Sequence, residues 1–146
     1  MTTSTENRID EMIGRLKSRA AMRQFGFIPG FPPHKTPNPV TKYSVAVTQT
    51  EQFVKRYFIG GLAGKNTCGR LCEVKLCLRV YAPQRTSGSA LLRASAMVAD
   101  ALEASDSERL IVVMSFSGIG FDTASRTEYR DIVALLRILT EEEASA

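Results

Sequence analysis

A chain of 146 residues, 44% hydrophobic and 23% charged, is long enough to build one hydrophobic core and too short for two, which argues for a single domain spanning 1–146. No run approaches the roughly 18 consecutive apolar residues of a membrane-spanning helix, and Glu6, Asp10 and Glu11 close behind Met1 do not read as a secretory signal, so the expectation is a protein without a membrane, made in a cytoplasm. The net charge of +4 is unevenly spread, with ten Lys or Arg against two acids from Gln24 to Ala99 and four against ten from Asp100 to Ala146, a polarity that steers association with a surface of opposite sign.

Thr3 and Glu6 have the spacing of a capping box, and Ile9, Met12, Ile13 and Leu16 recur at helical offsets, which predicts an amphipathic helix over about 5–22. Residues 25–39 hold five of the six prolines, interleaved with Phe25, Phe27, Ile28 and Phe31. Proline lacks a backbone donor and fixes φ, so this segment reads as an extended arm and neither as a helix nor as a central strand. Its stiffness lowers the entropy lost on docking, whether the arm reaches a neighbour or wraps its own domain and caps the core with its phenylalanines. His34, the single histidine, lies in this arm and reads as a solvated side chain.

From Val40 the period changes to two. Tyr43, Val45 and Val47 share one face of a strand, Phe53, Tyr57 and Ile59 one face of another, and the short Thr48–Glu51 connection suggests a hairpin between them. A glycine-rich loop, 60–69, leads to the clearest alternation in the chain. Cys72, Val74, Leu76, Leu78 and Val80 point one way there, and Glu73, Lys75, Cys77, Arg79 and Tyr81 the other. Pro83 ends that strand, Thr86 or Ser87 is placed to cap a helix, and Leu91, Ala94, Val98, Ala101 and Leu102 give the helix an apolar stripe. The β-branched and aromatic run Leu110–Phe116 reads as a buried strand. Gly118, Gly120, Asp122 and Ser125 suggest a turn-prone tip; in Tyr129–Leu139 the residues Ile132, Val133, Leu136 and Leu139 also fit a helical face, and a strand forming a long hairpin with Leu110–Phe121 is the chosen reading, before an acidic, frayed tail over 140–146. Together these predict an α+β fold: a mixed or mainly antiparallel sheet of about five strands, one central helix packed on it and an N-terminal amphipathic helix, with the core over 40–139.

The chemistry-bearing residues do not assemble into a catalytic set. Cys68, Cys72 and Cys77 are odd in number, and in a strand Cys72 and Cys77 face opposite sides, which suits neither a disulfide framework nor a metal site. The Gly60–Thr67 stretch resembles a phosphate loop, but it has one residue too few between Gly60 and Gly64, Asn66 at the magnesium-binding position and a strand where the helix belongs. His34 has no partner for nucleophilic catalysis, and Asp122, Glu128 and Glu141–Glu143 read as solvated acids. The expectation is a protein that is not an enzyme and needs no cofactor or metal. Lys55, Arg56, Lys65, Arg70, Lys75 and Arg79, with Tyr57 and Tyr81 among them, support an alternative, a small basic domain that stacks single-stranded nucleic acid; the acidic C-terminal third opposes it.

Two stretches carry a family resemblance. One is Cys72–Leu102, a strand ending in Val80, Tyr81, Ala82 and Pro83 that passes through Gly88 into the helix Leu91–Leu102. The other is the closing hairpin from Leu110 through Phe121 and Asp122 to Tyr129. In this order and length the chain resembles the tail terminator and tail completion (head-tail joining) proteins of long-tailed bacteriophages. The resemblance implies a virion structural protein: a protomer of a homo-oligomeric ring, commonly a hexamer, at the head-proximal end of the tail. Such a ring stops growth of the tail tube, meets the tube protein on one side and the head connector on the other, and passes DNA through its lumen. Phe27 and Phe31 in the arm, with Lys55, Arg56, Lys65 and Arg70, are the expected interface or lumen residues.

Overall fold

The computed structural model describes residues 4–29, 42–58, 67–83, 88–123 and 126–143. Its elements are α1 (Ser4–Ser18), a short 3-10 turn (Ala20–Met22), β1 (Gly26–Pro29), β2 (Ser44–Phe58), β3 (Thr67–Tyr81), α2 (Gly88–Ser105), β4 (Ile111–Asp122) and β5 (Thr127–Glu143). The strands form one sheet in the order β1-β2-β3-β5-β4, antiparallel throughout except for the parallel β1–β2 pair. This is the α+β architecture expected from the sequence. Among the described residues no helix is long and apolar enough to cross a membrane.

Strand β3 organises the core. Cys72, Val74, Leu76, Leu78 and Val80 all point to the side where the helices lie, and each is fully or almost fully buried. Ile132, Ala134, Leu136 and Ile138 of β5 continue that layer, in register with Leu78, Leu76, Val74 and Cys72. From the other side come Leu91, Ala94, Val98, Ala101 and Leu102 of α2, and Ile9, Met12 and Leu16 of α1. Each large aliphatic side chain removed from water here contributes about 1.5–3 kcal/mol.

Two arginines bind the helices to each other. Arg15 Nε donates to the carbonyl of Ser105 at 2.8 Å and Arg19 Nη1 to that of Ala104 at 3.4 Å. These carbonyls end α2, where a helix has acceptors without intrahelical partners and a partial negative charge, so the end of α1 and the residue after it supply donors and positive charge at once. Just beyond, Asp106 accepts from the backbone N–H of Leu110 at 2.8 Å and of Ile111 at 2.9 Å, which turns the chain into β4.

The structure corrects several expectations. The first helix stops at Ser18, because Arg19 is extended (φ −71°, ψ 142°); the following turn swings Met22 and Phe25 into the core. Thr3 of the expected capping box lies outside the described residues. The start of the proline-rich arm is itself a strand, β1, which takes an edge position, where a sheet tolerates Pro29. No hairpin turns at Thr48–Glu51; β2 runs straight through with a bulge there. Gly118 and Gly120 lie within β4 and not in a turn, and Glu141–Glu143 extend β5 beside Thr67–Gly69 and do not begin a frayed tail.

Replacing Arg15 with Ala leaves the Ser105 carbonyl without this donor. The expected cost is about 1 kcal/mol, measured by urea unfolding monitored by circular dichroism, with native secondary structure retained.

Candidate interaction surface

Both helices cover the same side of the sheet, so among the described residues the other side and one long edge stay open. The bulge in β2 decides what the open side displays. Before it, Val45 and Val47 pair with Val80 and Leu78 on the helix side. Thr50 drops out of the pairing between Gln49 and Glu51, its hydroxyl donating to the Lys75 carbonyl at 3.3 Å. Past that extra residue the odd positions change sides, and Phe53, opposite Glu73, projects away from the helices with 65% of its surface exposed. Leu71, Leu135 and Leu139 lie on that same side, with ion pairs Lys75–Glu51 at 3.0 Å and Arg137–Glu73 at 3.9 Å among them.

At the β1 end this side carries a small cluster of its own. Tyr81 is buried at 1% exposure beside Ala46, with Ile28 and Tyr129 packed against the pair. The Arg79 guanidinium lies 3.9 Å from the centre of the Tyr129 ring and grips Asp131 through two bonds of 2.8 and 3.1 Å. The hydrogen bond to Asp131 raises the Arg79 pKa further above its ordinary value, so the stack keeps its charge at any physiological pH. Gly120, opposite Tyr129, is required by this packing: a Cβ there would lie 2.6 Å from the ring's Cζ. Cys77, next in the row, is buried, and burial, aided by the Asp131 carboxylate and opposed by Arg79, pushes its thiol up to about 11. Cys72 is buried on the opposite side, as alternation in β3 predicts.

The edge strand β4 is the least expected feature. Its sequence, IVVMSFSGIGF before Asp122, has no charge and no proline, and such an apolar run belongs in a buried strand. Among the described residues it is the outermost strand, paired on one side only, and Val113 (57%) and Phe121 (59%) are exposed along with Val112, Phe116 and Ile119. Edges of this kind template pairing with another chain, and proteins that stay single guard them with lysine, proline or a covering segment. Beside the start of β4 a groove of about 590 Å³ is lined by Glu103, Asp106, Arg109 and Ile111–Met114. A second, of about 350 Å³, lies beside Phe53, Val54, Leu71 and Glu73.

The residues singled out in the sequence are divided between two places. Lys55 and Arg56 in β2 and Arg70 in β3 share the end of the sheet remote from β1, with Arg56 directly opposite Arg70 and Lys55 opposite Leu71. Phe27 is at the other end, packed against the protein's own core, with the Lys17 ammonium 5.5 Å from its ring. Phe31, His34 and Lys65 lie outside the described residues. Tyr81, named for base stacking, is enclosed by its own sheet and offers no free ring face. Comparison with known proteins gave no match, either to a protein-family model or to a curated protein.

Two outcomes follow from the packing around Tyr129. Gly120→Ala forces the ring off Arg79 and is expected to cost more than about 1 kcal/mol, read from urea unfolding; full stability in that variant would mean that the ring moves freely. The unfolded chain releases the Cys77 proton near pH 9 while the native protein holds it to about pH 11, so stability falls as pH rises through that window. Cys77→Ala should show a shallower fall over the same range in parallel denaturation series.

Proposed function

We propose that this protein is a structural component of a bacteriophage virion, a tail terminator that forms a ring on the head-proximal end of the tail tube and joins it to the head connector. The observation that carries the reading is β4: a strand whose composition is that of a sheet interior stands at the edge of the sheet, uncovered by any other described residue of the protomer. A partner that completes the sheet resolves that mismatch, and assembly is the circumstance in which it arrives. The family resemblance supplies the kind of assembly.

The reading assigns the tail tube protein and the head connector as partners, and the lumen as a passage where cations touch DNA phosphates without reading sequence. Lys55, Arg56, Lys65 and Arg70 are its candidate interface or lumen residues, three of them at one end of the sheet.

Native mass spectrometry over a concentration series, with negative-stain images, tests it. A closed ring, a hexamer above all, is expected, alone or once tail tubes are added. A monomer in both conditions, with a salt-sensitive shift on adding single-stranded DNA, would replace this reading with the nucleic-acid-binding alternative. Reversing the charges of Lys65 and Arg70 together should impair ring formation or head joining while leaving the circular dichroism melt unchanged; normal assembly by that variant would remove both residues from the interface.

A further inference from the structure

We propose that β4 carries its own guard: two bulges, the second locked by Arg130, break the strand into runs too short for open-ended stacking on copies of itself. The inference concerns the protomer before any assembly and does not rest on the ring.

The composition of β4 sets the hazard. A segment of about six or seven β-forming residues with no charge and no proline is enough to stack identical strands when it lies on an edge. Ile111–Phe121 is longer than that, and neither lysine nor proline interrupts it. Its pairing with β5, however, is broken twice. Ile111 lies opposite Leu136 and Val113 opposite Leu135, so Val112 is an extra residue. Phe116 lies opposite Ile132 and Ile119 opposite Arg130, so Ser117 and Gly118 together face Asp131. What remains regular is Val113–Phe116 and Ile119–Asp122, two runs of four residues. Each bulge bends the strand and raises its twist, which turns the edge away from a straight neighbour. At the start of the strand the Asp106 carboxylate already holds the N–H groups of Leu110 and Ile111.

Side chains hold the second bulge in place. The N–H of Asp131 donates to Ser117 Oγ at 2.9 Å, a hydroxyl standing where a ladder has a backbone acceptor, and that hydroxyl donates in turn to the Gly118 carbonyl at 2.7 Å. Arg130 Nε donates to the Ser117 carbonyl at 3.0 Å, and its guanidinium lies 4.6 Å from the centre of the Phe116 ring. Its Nη1 donates to Ser95 Oγ of α2 at 3.0 Å, and Ser95 is fully buried. The bulge is thus pinned to the helix above it. Crowding does not impose it, because a Cβ on Gly118 would meet nothing within 4 Å.

Deleting Gly118 leaves Ser117 alone opposite Asp131 and makes Val113–Asp122 one regular run. Arg130→Ala removes the lock and keeps the sequence of β4. Thioflavin T fluorescence and sedimentation velocity, at matched concentration, compare both variants with the unaltered protein. Both are expected to keep the native circular dichroism spectrum and to form dye-binding, open-ended assemblies, distinct from a finite ring, that the unaltered protein does not form. Ser115→Lys in either background should abolish them by placing a charge on the exposed run. Ser95→Ala cuts the tie to α2 but leaves the Ser117 contact, and it should behave as the unaltered protein does. Arg130→Gln takes the place of Arg130→Ala if the alanine variant loses the native spectrum. A natively folded deletion or Arg130 variant that stays as soluble as the unaltered protein overturns the proposal. Equal association by Ser95→Ala overturns it too, since lost stability would then be the cause, as do dye-binding fibres of the unaltered protein.

Discussion

Everything in this fold depends on one-sided cover. A sheet whose longest strand has 17 residues is roofed by two helices of 15 and 18 residues, and both sit on the same face. The stability of the protomer is concentrated where β3 and β5 meet α1 and α2, because only there do apolar side chains from two layers close on each other. The arginines that cap the end of α2 from α1 keep the two helices together as one roof. Outside that roof the same strands continue, still hydrogen-bonded, with apolar residues that no other described residue covers.

The roofed part is the part that could be read from the sequence. Alternation in Cys72–Val80 and the stripe on Leu91–Leu102 describe surfaces buried by the protein itself, and burial is what periodicity reports. The misreadings fall where that link fails. One residue inserted at the β2 bulge reverses the side on which the odd positions lie, so Val45, Val47 and Phe53, alike in parity, end on opposite faces. A reader who assumes one unbroken pattern must place a turn there. The glycines of β4 misled for a related reason: one accompanies a bulge and the other makes room for the Tyr129 ring, and neither marks a change of direction. The strand β1 was hidden by its proline, which rules out the middle of a sheet but not its rim.

For β4 the composition and the structure disagree, and the disagreement is informative. The residues describe an interior strand; the isolated protomer leaves it on the outside. Both are satisfied if the sequence was shaped by an environment larger than one chain. The polarity of charge along the chain does not survive folding as a polarity of the sheet: Glu141–Glu143 lie beside Thr67–Gly69, next to Arg70, and apart from the half-buried Arg79–Asp131 pair the ion pairs are exposed and add little to stability. The aromatic cluster around Tyr129 packs one corner of the open face.

The strand order also sets a schedule for synthesis. β5 lies between β3 and β4, yet it is the last of the three to leave the ribosome. While β4 emerges, it has no place to dock, and β3 waits with half of its hydrogen-bonding groups unmatched. The roof cannot close over a complete floor until Thr127–Glu143 slides in between. Nascent chains of this protein thus pass through an interval in which their most apolar strand is exposed and unanchored, and slow translation or early release in that interval favours contact between neighbouring nascent chains over folding.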